Sequence, residues 1–554
     1  MNRAIWLRRR ATLLAGLAGV AFAAGLLFGA LHESAAERAA EDFGRAWERA
    51  DYGAMWGLLT ESAQEETSPQ ALAAAYEDAM ATATGARIAA GDTEETSDGI
   101  RLDVTVETRV FGPIEGELDL PIEEDRIDWE PHLVFPGLAR GERLSRSSRA
   151  PARAPIVARD GSTIVEGPAS ARTSPLGAAG AEIVGSLAPP ATEEERDALE
   201  ARGFDPDTAV GISGLERILE REVAGTPGGE LTAGDRVIDT AEPRPAKPVR
   251  TTIDVGVQQA VTAALAGRFG GIAAIDARTA AVRGLAGIAF SAPQPPGSTF
   301  KIITATAALE DKVVKPGTEF PIQTAAVIDG YELENANGES CGGTFVNTFA
   351  HSCNSVFAPL GVEVGAEALV EMAERYGFNA DPGLAGAEPS TLPPADDIAS
   401  DLELGATAIG QGRVLATPLQ LASMAQTVAS GGLRRAPAVV RGAAGQEPVR
   451  VTSRPIARLL ERMMVGVVDY GTGTAASLAP IGVAGKTGTA ELEDTTDEED
   501  IEESPGSDTN AWFTAYAPVK KPELAVAVLL VRNGAGGETA APAARVVLEA
   551  AVAR

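Results

Sequence analysis

Gln294-Pro295-Pro296-Gly297-Ser298-Thr299-Phe300-Lys301 is the stretch from which the rest of the chain is read. Pro295, Pro296 and Gly297 cannot continue a helix, whereas Ser298 onward, through Ile302 and Ile303 to Leu309, can. A helix is therefore predicted to begin at the serine. Positions i and i+3 are neighbours on a helix, which puts the Lys301 amine within reach of the Ser298 hydroxyl. A serine hydroxyl attacks at neutral pH only if a base takes its proton, and a lysine can do so once burial or nearby positive charge lowers its pKa. The apolar run after Lys301 predicts a buried helix, which supplies that burial. The competing reading makes Ser298 an N-cap and Lys301 a solvated lysine. The pair alone does not choose between them.

The chain has 554 residues, too many for one core, and roughly two to four domains are expected. A net charge of −31 argues against a nucleic-acid partner, which needs clustered Lys and Arg. With three histidines (His32, His132, His351) and two cysteines, a cysteine/histidine zinc site or a His-Glu-x-x-His metalloprotease is excluded. Arg3 and Arg8 to Arg10 precede an uncharged stretch from Ala11 to Leu31, about 30 Å long as a helix and enough to cross a bilayer. The positive-inside rule keeps its start cytoplasmic and exports the remainder of the chain. A cleaved signal peptide with Ala21-Phe22-Ala23 as processing site is the alternative, and the length of the run favours the anchor.

Ser34 to Glu37 forms a capping box, and Ala39, Phe43 and Trp47 recur at helical spacing. A second helix opens at Ser68-Pro69. Leu102, Val104 and Val106 alternate, as do Leu118, Leu120 and Ile122 beyond Gly112-Pro113, predicting paired strands. These make a small α+β module. Beyond Pro136 five arginines (Arg140, Arg143, Arg146, Arg149, Arg153) come in quick succession, read as a solvated extended segment or as a patch for anionic lipid or glycan. A helix centred on Leu215 to Glu220 comes next. From Arg250 the pattern is that of a large domain: a helix from about Val257 to Leu265, a hairpin around Asp276, the serine helix, and a loop-rich region to about Leu404. Three strands (Val483–Ala490, Ala511–Ala517, Leu524–Val531) and a closing helix from about Pro542 to Ala553 complete it. Strands from both ends of the domain suggest an antiparallel sheet with a helical lobe.

Two further short motifs lie here. Ser352-Cys353-Asn354 offers a hydroxyl and a carboxamide to one cleft, or else an ordinary Asx or ST turn. Lys486-Thr487-Gly488-Thr489 ends an apolar strand, where alternation would point Lys486 inward and Gly488 would let a substrate backbone approach, or it is a plain strand end. Gly485-Lys486-Thr487 is no phosphate loop, since Pro480 stands where its first glycine belongs. Gly338-Glu339-Ser340-Cys341-Gly342 matches a nucleophile elbow, yet no apolar strand leads into it and His351 lies too near in sequence. Cys341 and Cys353, exported together, form either an internal disulfide or two buried thiols.

Ser298-x-x-Lys301, Ser352-x-Asn354 and Lys486-Thr487-Gly488, in that order in one domain, resemble the penicillin-recognising serine enzymes, and within them the class B penicillin-binding proteins. Gly410-Gln411-Gly412 with Ala416 to Gln420, Trp512 to Tyr516, Arg250 to Asp254 with Gln258-Gln259, and Arg159-Asp160-Gly161 with Gly214-Leu215-Glu216 are similar to that family's other segments. Asp128-Trp129 and Leu133 to Pro136 resemble the cone-shaped module of methicillin-resistance-type and actinobacterial members. The resemblance implies a multidomain α+β chain: a cytoplasmic tail and membrane helix over 1–32, a small α+β cone-like module over 33–136, an extended pedestal or dimerisation-type domain over 137–249, and a serine β-lactamase-like transpeptidase domain over 250–554.

It also implies that Ser298 attacks the penultimate D-alanine of a stem peptide with Lys301 as base, Ser352 relaying a proton under the influence of Lys486, and Asn354 positioning. Thr487, Gly488 and Thr489 would bind the substrate carboxylate and backbone, and the N–H groups of Ser298 and Thr489 would form the oxyanion hole. No metal or other cofactor is implied. The partners implied are peptidoglycan stem peptides, the lipid-linked precursor, β-lactams and the membrane, with a glycosyltransferase and division proteins beside them. A D,D-carboxypeptidase, a β-lactamase, or a penicillin sensor or silent division scaffold are the alternatives. Two departures stand out: Ala154-Pro155 and Ala158 replace the pedestal's usual glycine and aspartate, and ten acidic residues with no basic one fill Glu491 to Asp508.

Overall fold

The computed structural model describes residues 34–442, 447–491 and 509–552. The anchor over 1–32 and, Glu491 apart, the acidic run to Asp508 lie outside the described residues. Among the described residues no helix is long and apolar enough to cross a membrane. The chain divides into two compact units, one built from residues up to Ala152 with Pro189–Thr208 and Gly225–Pro245, the other from Arg153–Ala188, Ala209–Ala224 and the chain from Ala246 on.

In the first unit α1 (Ala35–Glu48) begins at the capping box of Ser34 and Glu37, and α2 (Pro69–Thr82) carries its proline in the first turn. Strands β1 (Gly85–Glu95), β2 (Gly99–Thr108) and β3 (Pro113–Glu123) form an antiparallel meander finished by Arg126–Ile127. Phe43 and Trp47 of α1 and Tyr76 of α2 are buried in one core with Leu102, Val106 and Leu118 of the sheet. β1 has no signature in the sequence because only Ile88 of its residues is buried, so it shows no alternation.

In the second unit Ile156–Val157 pairs in parallel with Val249–Arg250 and antiparallel with Thr163–Val165. The Arg159 N–H donates to the Ile253 carbonyl (2.9 Å), so the changed residues Ala154, Pro155 and Ala158 leave this segment tied to the start of the large domain. Arg153 is not the solvated arginine expected: its side chain is 5 % exposed and paired with Glu216 (2.7 Å) and Glu220 (2.8 Å), while Arg172 binds the second oxygen of Glu216 (2.7 Å). A buried guanidinium is tolerable only when so compensated.

The centre of this unit is a five-stranded antiparallel sheet. In chain order its strands are β4 (Gly270–Asp276), β5 (Val282–Gly287), β6 (Ala484–Glu491), β7 (Thr509–Ala517) and β8 (Leu524–Leu530), arranged β5-β4-β8-β7-β6. β8 alternates between two cores: Val526 and Val528 pack with Val261 of α3 (Val255–Leu265) and Val547 and Leu548 of α9 (Ala541–Val552). Ala525, Ala527 and Leu529 face the other side, in the cluster of Phe300, Ile302 and Ile303. That side carries α4 (Lys301–Glu310), α5 (Phe345–Ala350), α6 (Asn354–Val364), α7 (Pro418–Ala429) and α8 (Arg454–Asp469). The stretch expected to be loop-rich thus holds α5, α6 and a further helix, Ala366–Tyr376. Two of its glycines, Gly365 and Gly377, mark helix ends rather than a loop.

Candidate active site

The serine does not start an α-helix outright. Gly297–Phe300 form a 3-10 turn and the α-helix begins at Lys301. Prolines 295 and 296 have no N–H to give, so the turn is fixed from outside. The Gly297 N–H donates to the Gly410 carbonyl (2.9 Å), Trp512 Nε1 donates to the Pro295 carbonyl (2.7 Å), and Gln294 pairs with Ala416 in both directions. Thr299 Oγ1 closes the turn on the Pro296 carbonyl (2.8 Å). Gly488 of β6 lies beneath it: a Cβ there would stand 2.6 Å from the Pro296 carbonyl oxygen, so the backbone that approaches this glycine is the chain's own serine turn.

Ser298 is partly exposed and lies inside the turn, whose cap residue is Pro296, whereas Lys301 is fully buried. The N-cap and surface-lysine reading therefore does not describe this pair. No hydrogen bond joins Ser298 to Lys301 among the described residues. The Lys301 amine instead donates to Asn354 Oδ1 (2.6 Å), the Ser352 carbonyl (2.7 Å) and Ser352 Oγ (3.3 Å). Burial, and secondly the charge of Lys486, hold its pKa well below the ordinary lysine value.

Ser352 and Asn354 flank the junction of α5 and α6. Ser352 takes a left-handed conformation (φ 61°) and Asn354 opens α6. Lys486, buried in β6, donates to Ser352 Oγ (2.8 Å) and to the Thr487 carbonyl (3.0 Å). Burial lowers its pKa to about 7. Two phenyl rings face the amines, Phe357 towards Lys301 (5.6 Å) and Phe349 towards Lys486 (5.7 Å). The site thus brings Lys301, Ser352, Asn354 and Lys486 into one hydrogen-bonded chain, with Ser298 on the 3-10 turn that leads into the Lys301 helix. Thr487 Oγ1 shares a bond with Thr472 Oγ1 (2.6 Å), and Thr489 Oγ1 accepts from the Gly536 N–H (3.3 Å).

Cys341 and Cys353 are bonded to each other. This excludes two free thiols and removes the elbow reading of Gly338 to Gly342, whose fourth residue is committed to the Ser352 turn. Sequence reasoning missed Thr472, and the anchoring by Trp512 Nε1 of the turn before Ser298. It also passed over Asn335, whose amide holds the first turn of α6. All act through contacts distant in sequence, and local spacing contains no signal for them.

Family comparisons agree with this architecture. The penicillin-binding protein transpeptidase domain model matches residues 270–549, a penicillin-binding protein dimerisation domain model matches 150–248, and an NTF2-like N-terminal transpeptidase domain model matches 35–142. The first covers half of the chain, and the chain belongs to the penicillin-binding protein transpeptidase family. Among individual proteins, the peptidoglycan D,D-transpeptidase PbpA of Mycobacterium tuberculosis is 37 % identical over 295 residues, covering 48 % of this chain and 56 % of the relative. The peptidoglycan D,D-transpeptidase MrdA of Acinetobacter baumannii is 26 % identical over 63 % of this chain and 62 % of its own. The match therefore spans little more than half the length of these curated relatives. The solved M. tuberculosis penicillin-binding protein A in its penicillin G acyl-enzyme complex aligns with a TM-score of 0.57 at 25 % identity, over 72 % of this chain and 99 % of that one. A D,D-transpeptidase domain from Eggerthella lenta aligns at 0.57 with 27 % identity, over 75 % and 99 %.

Proposed function

We propose that the protein is a peptidoglycan D,D-transpeptidase, acting through an acyl-enzyme on Ser298. The observation that carries this reading is the environment of the Lys301 amine. Its bonds to Asn354 Oδ1 and the Ser352 carbonyl engage acceptors that have no proton to return, so a neutral amine spends both N–H groups on them. The lone pair is then left for a hydroxyl proton, with Ser352 Oγ (3.3 Å) the hydroxyl beside it in this structure.

In the forward step Ser298 Oγ attacks the carbonyl carbon of the penultimate D-alanine as its proton passes to Lys301 Nζ. The tetrahedral oxyanion meets the N–H groups of Ser298 and Thr489; the tight packing of Gly297 against the Thr489 backbone supports that placement. The C–N bond then breaks, and the departing D-alanine nitrogen takes a proton from Lys301 through Ser352 Oγ, which Lys486 polarises. An amine on a second stem peptide attacks the ester carbonyl, loses its proton along the same path and returns Ser298 to its hydroxyl. Thr487 and Thr489 suit the terminal carboxylate of the donor. β-Lactams would be opened by the same attack and leave an ester on Ser298.

The chain is read as anchored through residues 1–32, with a cone-like module (33–136), a pedestal (137–249) and an extracytoplasmic transpeptidase domain (250–554). The Cys341–Cys353 bond supports export, because such bonds persist in oxidising compartments. Labelling with a fluorescent penicillin tests the whole reading: wild type should form a covalent adduct and Ser298→Ala none. Label retained on Ser298→Ala would refute it, and release of D-alanine without crosslinked product would favour a carboxypeptidase.

A further inference from the structure

The two residues that hydrogen-bond the Lys301 amine, Ser352 and Asn354, sit at a bend between two helices. The first turn of α6 has N–H groups without intrahelical partners, and its cap residue, Cys353, makes no side-chain cap because its sulfur is bonded to Cys341. Other helices of the domain carry a local cap, as at Thr417 before α7 and Thr344 before α5. Here it comes from a distant segment. Asn335 Oδ1 accepts from the Ser355 N–H (2.8 Å), and Asn335 Nδ2 donates to the carbonyls of Gln323 and Glu339 (both 2.9 Å). The residue is 4 % exposed, and its amide is engaged on both ends.

Two neighbouring links run in parallel. The Glu334 carbonyl accepts from Asn354 Nδ2 (2.8 Å), which turns the carboxamide so that Oδ1 faces Lys301. Cys341, six residues after Asn335, is bonded to the residue between Ser352 and Asn354. Three consecutive positions, Cys353, Asn354 and Ser355, are therefore each held by the segment from Glu334 to Cys341.

We propose that Asn335 is a positioning residue for the reaction: with the Cys341–Cys353 bond it fixes the Ser352–Asn354 bend against Lys301, and so sets the acylation rate without touching substrate. This rests on the function proposed above. Without the Asn335 amide the Ser355 N–H loses its acceptor and the Glu334 carbonyl loses its neighbour's anchor, so the Asn354 carboxamide can turn away from the amine.

The test uses the full chain and time courses with fluorescent penicillin, separating the acylation rate constant, the non-covalent affinity and the labelled fraction. Asn335→Ala should lower the rate constant by roughly 10- to 100-fold, the scale expected for a misplacement of about 1 Å. Affinity and labelled fraction should stay near wild type. Asn335→Asp, which keeps an acceptor for Ser355 but sets an oxygen against the Gln323 and Glu339 carbonyls, should recover only part of the rate. An unchanged rate constant with a diminished labelled fraction would overturn the proposal, since that is loss of folded protein alone. If Asn335→Ala does not fold, reduction of the disulfide in the wild-type chain supplies the measurement. The rate constant should then fall, and an unchanged rate with two free thiols counted would overturn the brace. Failure of the underlying reading looks different: wild type would form no adduct, or Ser298→Ala would keep one.

Discussion

Lys486 Nζ and Ser352 Oγ are 2.8 Å apart although 134 residues separate them, and that hydroxyl also receives a bond from Lys301 Nζ at 3.3 Å. One small side chain thereby links two buried amines, and the chemistry of each depends on the charge of the other.

The first prediction concerns pH. Lys486 has a folded pKa of about 7, far below its unfolded value, so between about pH 7 and 10 the unfolded chain binds more protons at this site than the folded one. Stability from this group is therefore lowest in acid, where the buried amine must carry charge, and rises with pH through that window, by on the order of 2 kcal/mol from pH 7 to 9. Denaturant midpoints against pH should show the rise in wild type and a smaller one in Lys486→Met, the remainder coming from Lys301, whose burial also lowers its pKa. Acylation should run the other way on its alkaline side, declining as Lys486 loses its proton, and a rate that keeps climbing through pH 9 would show that the charge is not used.

Replacing Lys301, the proposed base, should separate binding from chemistry. Lys301→Met keeps the volume of a buried stem but leaves Ser298 without a proton acceptor. The rate of penicillin acylation should fall by about 10²- to 10⁴-fold, the usual range for a general base. Asn354→Ala should cost less, since the Ser352 carbonyl still orients the amine. Rate constants from single-turnover labelling decide it, and equal losses in the two variants would contradict the ranking.

Gly410→Ala should disturb the serine without touching it. A Cβ at Gly410 would lie 2.1 Å from the Gly297 carbonyl oxygen, and the residue has φ 79°. The turn bearing Ser298 has to move, so labelling should slow by about tenfold or more. Gly412→Ala is the control: its Cβ meets nothing within 4 Å, so it carries the same backbone strain (φ 67°) without the collision. Comparable loss in both would point to strain rather than displacement.

Glu216→Ala should destabilise the second unit by about 3–5 kcal/mol, because Arg153 and Arg172 would be left buried with one carboxylate fewer between them. Thermal unfolding measures it. A change under about 1 kcal/mol would mean that water reaches the arginines once the carboxylate is gone.

Much of this architecture can be read from local pattern. The capping box at Ser34, the proline at the start of α2 and the alternation in β2 and β3 each arise from interactions within a few residues, and each element lies where it was expected. β1 escaped because it faces solvent almost throughout, and α5 and α6 escaped because glycines at helix ends look the same as glycines in loops. Arg153 was misjudged because nothing near it in sequence announces Glu216, 63 residues away.

What the sequence determined by itself is the inventory: a serine one turn before a lysine in an apolar helix, two later motifs with the right side chains, and strands at both ends of a domain. Those come from spacing and periodicity, which are properties of neighbours along the chain. Only the tertiary structure decided that the lysine is fully buried, that its hydrogen-bonding partners come from residues 51 to 53 positions on, and that Asn335 and Trp512 hold the loops concerned. Burial and hydrogen-bond partnership depend on packing between distant elements, and it is packing, rather than the identity of a side chain, that sets how readily an amine gives up its proton.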